Sequence, residues 1–541
     1  VCVFQSSYYL EKAQKLHERE RDIKALRGEI LDRNGVVLAS NKTVCTVSVI
    51  HSQITQPQEV IQMLVKELDI TEEAARKRVE KVSSIERVKT NVDKETGDRI
   101  REYNYSGVKV DEDYKRYYPY SKLCSKVLGF TGSDNQGILG LEAKYDAYRS
   151  GPPGQILTLT DAWGVEVKNG NEERDEPEKG SNLYTSIDIN IQSYAQQLAQ
   201  KTLEQKQAKS VSIIVMNPEN GEILAMTNEP EYDLNNPYEL NSDLLISSTG
   251  TSKMDLLNNM WRNFCINDTY EPGSIFKMVT ATAALETGSV TLNDHFTCGG
   301  SAIVADRKIR CHKTTGHGTQ TFTQTVTNSC NPAFIEWGRR VGTERFFEYM
   351  GKLGLLEKTG IDIAGEASTI IHKQENVGEV ELATMSFGQS ISVTPIQLIR
   401  AVSAIANDGK LMEPRLVKAY TDNEGNVVQE VKPKTVRQVV STETSKKMLS
   451  VMESVVTDGG GKIAYLPGYR LGGKTGTAQK VIDGVYAQGK YICSFISVAP
   501  VDDPQIVVLA IVDEPTDVVA FGSTTAGPII KEVMSQSLEY L

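Results

Sequence analysis

The sequence predicts a two-part protein of mixed α and β structure, an α/β (α+β) fold, and three observations support this prediction. The chain has 541 residues, far more than one average domain of about 100–200 residues. Its first 180 residues alternate charge-rich helical stretches with short strand-like segments, whereas the remainder carries long apolar strands near both of its ends. Hydrophobic residues make up 40% and charged residues 24%, a composition typical of a globular protein with a sizeable core.

Residues 1–182 are predicted to form an N-terminal domain, an elongated pedestal without a catalytic group. Residues 58–82 have helical character, and residues 44–50 read as a strand. The charged stretch 9–27 predicts a further helix. An acidic, turn-rich run at 168–180 marks the predicted boundary, and a solvated hairpin loop explains that run equally well.

Residues 183–541 are predicted to form one C-terminal domain around a single sheet. A helix is predicted at 189–207. Strands are predicted at 211–217, 222–227, 491–499 and 505–513. The first pair is joined by Asn220-Gly221, a strong hairpin signal. Because these strands come first and last in the region, the helices between them belong to the same domain.

Net charge and apolar runs exclude two classes of function. The net charge is −11, so the chain as a whole repels nucleic acid. The longest apolar run, residues 506–512, is far shorter than the roughly 20 residues of a membrane-spanning helix.

Ser274 and Lys277 form the first candidate catalytic pair. Turn residues place Ser274 in the first turn of a helix, and Lys277 lies on the same face within reach of the hydroxyl. A lysine acts as a base only when burial or a second cation lowers its pKa. The same spacing at Ser106 and Lys109 is interpreted as coincidence.

Lys474 is the candidate second cation. It follows Gly472-Gly473 and precedes Thr475, Gly476 and Thr477, which suits a strand that approaches a ligand closely. A substrate carboxylate fits beside the ammonium and the two threonine hydroxyls. A second Lys-Thr-Gly, at 358–360, is predicted to be a loop.

A third element, Ser329-Cys330-Asn331, completes an ordered set. Alone it means little, since Ser133 and Asn135 match the same pattern in a predicted turn. The three elements are separated by 55 and 145 residues, and together they resemble the set found in penicillin-binding proteins and class A β-lactamases.

Motifs outside the candidate site extend the resemblance to the class B penicillin-binding proteins. They are residues 27–35 (Arg-Gly-Glu-Ile-Leu-Asp-Arg-Asn-Gly), 137–142 (Gly-Ile-Leu-Gly-Leu-Glu), 270–273 (Tyr-Glu-Pro-Gly), 388–389 (Gly-Gln) and 394–397 (Thr-Pro-Ile-Gln). Within the family, the cysteine-containing segment 298–331 looks most like the sporulation-specific type of spore-forming Gram-positive bacteria.

The resemblance implies a pedestal followed by a transpeptidase domain with a central antiparallel sheet flanked by helices. It also implies a D,D-transpeptidase that acts on peptidoglycan stem peptides, reacts with β-lactams and needs no cofactor for its chemistry. The family works at the extracytoplasmic face of the cell membrane, anchored by an N-terminal helix missing from this sequence, and cooperates with a glycosyltransferase.

The resemblance also implies a role for each site residue. Ser274 is the nucleophile, Lys277 is its base, and the backbone N–H groups of Ser274 and Thr477 stabilise the oxyanion. Ser329 relays a proton to the leaving group, and Asn331 holds the substrate amide. Lys474, whose charge disfavours that of Lys277, binds the terminal carboxylate within the Thr475-Gly476-Thr477 strand.

Three other functions share these motifs. A serine β-lactamase needs a carboxylate to activate water, and no Glu-x-x-Leu-Asn segment lies between Ser329 and Lys474. A D,D-carboxypeptidase or endopeptidase and a non-catalytic β-lactam sensor stay open.

Asp294, Cys298, Cys311 and His317 form a candidate structural zinc site, with His312 or His295 as substitutes. Two thiolates, an imidazole and a carboxylate complete a tetrahedral set. The spacing lacks a Cys-x-x-Cys knuckle, so a Cys298–Cys311 disulfide, two free thiols and an ordinary loop histidine remain alternatives.

Overall fold

A computed structural model of the chain describes residues 18–159, 172–242, 250–482, 484–516 and 520–540. The strands of the N-terminal part are β1 (Glu18–Ile23), β2 (Ile30–Leu31), β3 (Val37–Val49), β4 (Glu86–Asp93), β5 (Val108–Tyr117), β6 (Gly154–Leu159), β7 (Glu172–Asp175) and β8 (Asn182–Thr185). Its helices are α1 (Pro57–Leu68), α2 (Glu72–Val79), α3 (Lys94–Glu102), α4 (Ser125–Leu128), α5 (Gly140–Lys144) and α6 (Asp146–Arg149).

The C-terminal part follows in the same chain order. Its helices are α7 (Ile189–Gln205), α8 (Lys253–Trp261), α9 (Phe264–Asn267), α10 (Lys277–Glu286), α11 (Phe322–Thr327), α12 (Asn331–Val341), α13 (Thr343–Lys352), α14 (Glu379–Met385), α15 (Pro395–Ala406), α16 (Thr442–Thr457), α17 (Gly522–Thr525) and α18 (Gly527–Tyr540). Its strands are β9 (Ser210–Met216), β10 (Ile223–Glu229), β11 (His295–Cys298), β12 (Ser301–Val304), β13 (Arg307–Arg310), β14 (Gly318–Thr321), β15 (Ile370–Ile371), β16 (Ile391–Ser392), β17 (Lys410–Met412), β18 (Val417–Thr421), β19 (Val427–Glu430), β20 (Thr435–Gln438), β21 (Gly472–Ile482), β22 (Val485–Ala499) and β23 (Ile506–Asp513). Short 3₁₀ helices lie at His51–Gln53, Gly273–Phe276, Gln374–Asn376 and Lys462–Ala464.

One prediction for the N-terminal part is corrected by strand pairing. Of the predicted helix 9–27, Glu18–Ile23 is strand β1 and pairs antiparallel with β6, while residues 9–17 lie outside the described residues. Pairing with β6 therefore determines the strand conformation of these residues and outweighs their local helical character. Within the run 168–180, Glu172–Asp175 is strand β7 and pairs antiparallel with β6, so these residues form a strand of a hairpin and not its loop; residues 168–171 lie outside the described residues.

A seven-stranded sheet joins the two parts of the chain. Its order is β19-β18-β8-β2-β3-β4, with β5 paired to the other edge of β3. Strand β8 lies parallel to β2 and antiparallel to β18, so it bonds to both parts. The predicted boundary between residues 182 and 183 falls inside β8.

The C-terminal part is built on a five-stranded antiparallel sheet in the order β10-β9-β23-β22-β21. Side chains alternate between its two faces. Ile213 and Val508 pack with α7 and α18, whereas Ile214 and Leu509 face the core that contains α10 and α15. Because both faces are buried, the central strands are continuously apolar, as the sequence indicated.

The sheet sets the position of the candidate site. Strand β21, which carries the Lys474 motif, is an edge strand, and the 3₁₀ turn that contains Ser274 packs against it. Among the described residues, no helix combines the length and the apolar character needed to cross a membrane.

Candidate active site

Ser274 lies in the 3₁₀ turn Gly273–Phe276, directly before helix α10, and is half-buried. Gly273 has φ +54°, and its N–H donates to the Gly388 carbonyl at 3.0 Å. A Cβ on Gly273 would lie 2.9 Å from the Thr477 carbonyl oxygen. A glycine is therefore required to turn the chain this close to β21.

Gly476 explains why the Ser274 turn and strand β21 can pack closely. A Cβ at this position would lie 2.6 Å from Ser494 Oγ and 2.9 Å from the Pro272 carbonyl oxygen. Any larger residue would push the Ser274 turn away from β21. The glycine in the Lys-Thr-Gly motif thus sets the spacing between the Ser274 turn and β21.

Lys277 is fully buried and is the centre of the site. Its Nζ donates to Asn331 Oδ1 at 2.7 Å, to the Ser329 carbonyl at 2.8 Å and to Ser329 Oγ at 3.1 Å. Burial lowers the pKa of Lys277 to about 7, against the opposing effect of the nearby Cys330 and Cys311 sulfurs. At neutral pH a substantial fraction of the amine is therefore free to accept a proton.

Lys474 is buried in β21, and its Nζ donates to the Thr475 carbonyl at 2.9 Å. Burial, followed by the charge of Lys277, holds the pKa of Lys474 well below its usual range. The charge of Lys277 thus helps to lower the pKa of Lys474, whereas burial is the main cause of the lowered pKa of Lys277. From the sequence, the charge of Lys474 was the expected cause for Lys277. A bound carboxylate would restore the charge of Lys474.

The Ser-x-Asn motif sits between two helices that fix it. Helix α11 ends at Thr327, and Asn331 is the first residue of α12. Ser329 has φ +49°, a strained conformation for a residue with a Cβ. In this conformation both the carbonyl and the hydroxyl of Ser329 point toward the Lys277 ammonium.

The competing motifs lie elsewhere. Lys358–Gly360 belongs to no helix or strand, and the Thr359 N–H is held by Glu366. Ser106 precedes β5 in the N-terminal part, and Ser133 with Asn135 lies in a turn between α4 and α5. In the structure the Ser329 motif contacts Lys277, and the Ser274 turn packs against the strand that carries Lys474. None of the alternative motifs lies at this site.

A cysteine–histidine cluster lies beside the site. Ligand atoms of Cys298, Cys311, His317 and Cys330 all lie within 4.8 Å of one another. Cys298 ends β11, Cys311 follows β13, and His317 precedes β14. Cys330 is the middle residue of the Ser-x-Asn motif and was not among the ligands predicted from the sequence.

Asp294, the predicted fourth ligand, is not in the cluster. Its carboxylate accepts hydrogen bonds from the Thr291 N–H and hydroxyl at 2.7 and 2.8 Å, and from Arg340 at 2.9 Å. It therefore closes a turn and an ion pair. His312 is exposed, with its Nδ1 3.9 Å from Cys311 Sγ.

The chemistry of the cluster suits a metal. Three sulfurs and one imidazole are a closed structural zinc set, in which donors lie about 3.5–4 Å apart. All seven cysteines of the described residues, Cys298 and Cys311 among them, are free thiols in this structure. The Cys330 thiol donates to Cys311 and thereby lowers the pKa of the Cys311 thiol.

Two protein families match the chain. Residues 211–535 match the penicillin binding protein transpeptidase domain, and residues 22–185 match the penicillin-binding protein dimerisation domain.

Curated relatives cover most of the chain. Stage V sporulation protein D of Bacillus subtilis (strain 168) is 42% identical over 524 residues, covering 95% of this chain and 78% of the relative. The probable peptidoglycan D,D-transpeptidase PenA of Neisseria meningitidis serogroup A is 28% identical over 532 residues, covering 97% of this chain and 86% of the relative.

Solved structures share the fold. Penicillin binding protein 2X of Streptococcus thermophilus superposes with a TM-score of 0.79 at 23% identity, covering 96% of this chain and 80% of that one. Penicillin binding protein 3 of Mycobacterium tuberculosis, complexed with aztreonam, gives 0.71 at 24% identity, covering 96% and 97%.

Proposed function

The chain belongs to the class B penicillin-binding proteins, and from this premise we propose that it is a peptidoglycan D,D-transpeptidase with Ser274 as nucleophile. It cross-links stem peptides that end in D-Ala-D-Ala, and β-lactams inhibit it by acylating the same serine. The single observation that carries the proposal is the contact of buried Lys277 with both Ser329 and Asn331, one turn after Ser274.

The first step is acylation. Neutral Lys277 accepts the Ser274 hydroxyl proton as Oγ attacks the carbonyl carbon of the penultimate D-Ala. The tetrahedral intermediate collapses when its C–N bond breaks, and the terminal D-Ala leaves after its nitrogen receives the proton through Ser329. The acyl group is then held as an ester on Ser274.

The second step transfers the acyl group to an acceptor. The amine of a neighbouring stem peptide attacks the ester carbonyl, its proton returns to the enzyme, and the bond to Ser274 Oγ breaks. The product is a new amide cross-link, and the serine hydroxyl is regenerated. Backbone N–H groups of Ser274 and Thr477 stabilise the oxyanion in both steps.

The edge position of β21 supports the placement of substrate. One row of backbone groups on an edge strand is free to bond an extended peptide, which adds as a further strand. The terminal carboxylate then lies beside Lys474, Thr475 and Thr477, while Asn331 holds an amide of the peptide. Gly476 keeps this strand close to the nucleophile.

We also propose that Cys298, Cys311, His317 and Cys330 hold one zinc ion of the structural kind. The bound ion would tie the segment 298–317 to Cys330, and hence to the neighbouring residues that contact Lys277. Its role is to fix the site, and no reaction step passes through it. Cys330 replaces Asp294 in the ligand set inferred from the sequence.

The biological setting follows from the same premise. The 42% identical relative is named for sporulation, and we extend a wall-synthesis role during sporulation to this chain. Residues 1–182 act as the pedestal and 183–541 as the catalytic domain, at the outer face of the cell membrane. Anchoring by an N-terminal helix and cooperation with a glycosyltransferase complete the proposal.

Peptide mass spectrometry after incubation with a β-lactam tests the nucleophile. One drug-sized adduct is expected on the peptide that contains Ser274, and S274A should abolish it. The matched control is S106A, which removes the serine of the competing Ser-x-x-Lys pair and should keep the adduct. An adduct that survives in S274A contradicts the assignment.

Two alternatives share the acylation step. A D,D-carboxypeptidase or endopeptidase would pass the acyl group to water, and a β-lactam sensor would keep it. The long N-terminal part, which matches the dimerisation domain over residues 22–185, favours action on a polymer.

A further inference from the structure

A cavity of about 1220 Å³ borders strand β21 just after the Lys474 motif. It lies between residues 478–481 of β21, residues 268–271 before the Ser274 turn, and residues 370–372 at β15. The same extended strand thus carries the substrate motif and then one wall of this cavity. A peptide bound along β21 can therefore reach both.

Three acidic residues line the cavity, and two of them are already ion-paired. Asp268 pairs with Arg262 at 2.7 Å, and Asp513 pairs with Lys480 at 2.7 Å. Glu271 is 8% exposed and has no ion pair within the residues that the structure describes. Because acidic side chains are rarely buried without a cation, Glu271 points to a cation that a ligand supplies.

The Glu271 carboxylate has unused acceptor capacity. Its Oε1 accepts the Ser390 N–H at 2.8 Å, and the Tyr486 hydroxyl is shared between Oε1 at 3.1 Å and Oε2 at 3.2 Å. Two donors therefore serve a carboxylate with about four acceptor sites. Ser390 lines the cavity and Tyr486 is 41% exposed, so the carboxylate lies between the cavity wall and the surface. Burial raises the pKa of Glu271 against the effect of these two hydrogen bonds, and a bound ammonium group would restore its charge.

The packing of β21 determines which part of a bound peptide lies at the cavity. A Cβ on Gly472 would lie 3.0 Å from the Met452 Cβ, so helix α16 covers the beginning of the strand. Residues 478–481 border the cavity instead. A peptide whose terminal carboxylate lies beside Lys474 therefore extends its earlier residues along 478–481, antiparallel to β21.

Glu271 lies within reach of those earlier residues. It precedes Ser274 by three residues, so the two Cα atoms are at most about 11 Å apart, the length of roughly three residues of an extended peptide. Cross-linking needs an amine on the stem peptide, and donor and acceptor are strands of one polymer. D-Ala-D-Ala has no side-chain amine, so the donor carries its amine on a residue before the two alanines.

Lys126 is a cation of the same cavity but lies at its far side. Its ammonium donates to Asn228 Oδ1 at 2.9 Å, on strand β10. Strands β10 and β21 are opposite edges of the five-stranded sheet, roughly 19 Å apart. Lys126 therefore does not occupy the place of a cation at Glu271.

We propose that this cavity binds the side chain of the residue directly before D-Ala-D-Ala in the donor stem peptide, with its ammonium group on the Glu271 carboxylate. The proposal deepens the proposed function and rests on it, because the ligand is the donor of the cross-linking reaction. Glu271 selects donors that carry an amine and takes no part in the transfer of the acyl group.

Titration calorimetry tests the proposal on the full chain with S274A, which keeps the peptide intact. The probes are Nα-acetyl-L-lysyl-D-alanyl-D-alanine, with a free side-chain amine, and the same peptide with that amine acetylated. The free amine should bind roughly tenfold tighter, because a charge-assisted hydrogen bond is then formed. Equal affinity for the two peptides, or binding of neither, overturns the proposal.

Variants at Glu271, made in the same S274A chain, separate recognition from a structural role. E271Q can still accept the Ser390 N–H but has no charge, so the ratio of the two affinities should fall close to one. E271D keeps the charge and should retain part of the preference. D268N, which removes a carboxylate already paired with Arg262, is the matched control and should keep the full ratio. A full ratio in E271Q, or a ratio in E271D no larger than in E271Q, rejects the proposal.

Acylation of the chain with native Ser274 by a β-lactam is measured in parallel. Absence of acylation would count against the proposed function, whereas an amine preference that depends on Glu271 would still support the cavity. Normal acylation without that preference would reject the cavity alone. The two failures are therefore distinguishable.

Discussion

Lys277 combines two properties that suit a general base, contact with the Ser-x-Asn motif and a lowered pKa. Its Nζ contacts Ser329 and Asn331, and burial lowers its pKa to about 7. K277A should slow acylation by a β-lactam about 10²–10⁴-fold, since general-base assistance is commonly of that size. Stopped-flow kinetics measure the rate, and K358A, in the competing Lys-Thr-Gly loop, is the control. A near-normal rate in K277A would remove Lys277 from the base role.

The pH dependence of acylation follows from the same pKa. Lys277 accepts a proton only when neutral, so the second-order rate constant should rise with pH through about 7 and level off above it. Burial is the main cause of the lowered pKa of Lys277, and the nearby Cys330 and Cys311 sulfurs oppose it. A rate constant that is flat between pH 5 and 8, on a chain that stays folded, contradicts this assignment.

The sequence predicted some of the residues at the candidate site and missed others. The three catalytic motifs were recognisable because each has a fixed internal spacing and a fixed order. Cys330 had no such signal, since it appears only as the variable residue between Ser329 and Asn331. Asp294 was chosen to complete four ligands, but Thr291 and Arg340 satisfy its carboxylate, which only the three-dimensional contacts reveal.

At the scale of elements, the 3₁₀ turn before α10 sets the distance between Ser274 and strand β21. G273A places a Cβ at φ +54° and 2.9 Å from the Thr477 carbonyl, so it should cost about 1–2 kcal/mol and reduce acylation sharply. G288A at the other end of the helix is the matched control, because it has φ +65° and open space around the Cβ. Thermal unfolding and acylation rates measure both variants. Equal loss of acylation in the two would show that strain alone, and not the turn's contact with β21, matters.

Three members of the cysteine–histidine cluster, Cys298, Cys311 and His317, lie at or beside strands β11 to β14. Elemental analysis of the purified protein should find close to one zinc per chain, and C330A should lose it and lower the Tm. C45A, which removes a buried thiol of the N-terminal part, should keep the metal. Acylation in C330A should weaken because the Ser-x-Asn motif loses its tether. Absence of metal, with an intact mass two hydrogens light that reductant restores, would replace zinc with a disulfide.

Secondary structure was most predictable where one pattern dominates. Helix α7 and strands β9, β10, β22 and β23 follow from apolar periodicity, although β22 begins six residues before the predicted start at 491. Strand β1 was predicted as helix, because its conformation depends on pairing with β6, more than 100 residues away in sequence. Local pattern does not contain that information.

At the scale of the whole molecule, a buried ion cluster fixes the N-terminal part. Glu142 is fully buried and, despite that burial, Arg116, Arg149 and Arg27 hold its pKa well below the usual range. E142Q removes the charge and leaves three buried guanidinium groups under-compensated, which should cost about 3–5 kcal/mol. Thermal unfolding measures the loss, and E72Q, on the exposed face of α2, should leave the Tm unchanged. A normal Tm for E142Q would show that the cluster does not stabilise the fold.

The division of the chain into parts was predictable only in outline. A change of composition near residue 180 was visible in the sequence, but the seven-stranded sheet that crosses it was not. Strand β8 is only four residues long, and its parallel partner β2 lies about 150 residues earlier. Such non-local pairing leaves no periodic signal, so the boundary between residues 182 and 183 stays a prediction.

In the proposed function, Ser274 carries an acyl group to an amine acceptor. The most direct measurement uses a D-Ala thioester substrate and compares the amide and the hydrolysed product with increasing D-amino acid. We expect the amide to grow at the expense of hydrolysis, with an unchanged acylation rate, and S274A to form neither product. Hydrolysis that is indifferent to the acceptor, an acyl-enzyme that never turns over, or amide formed by S274A would each contradict it.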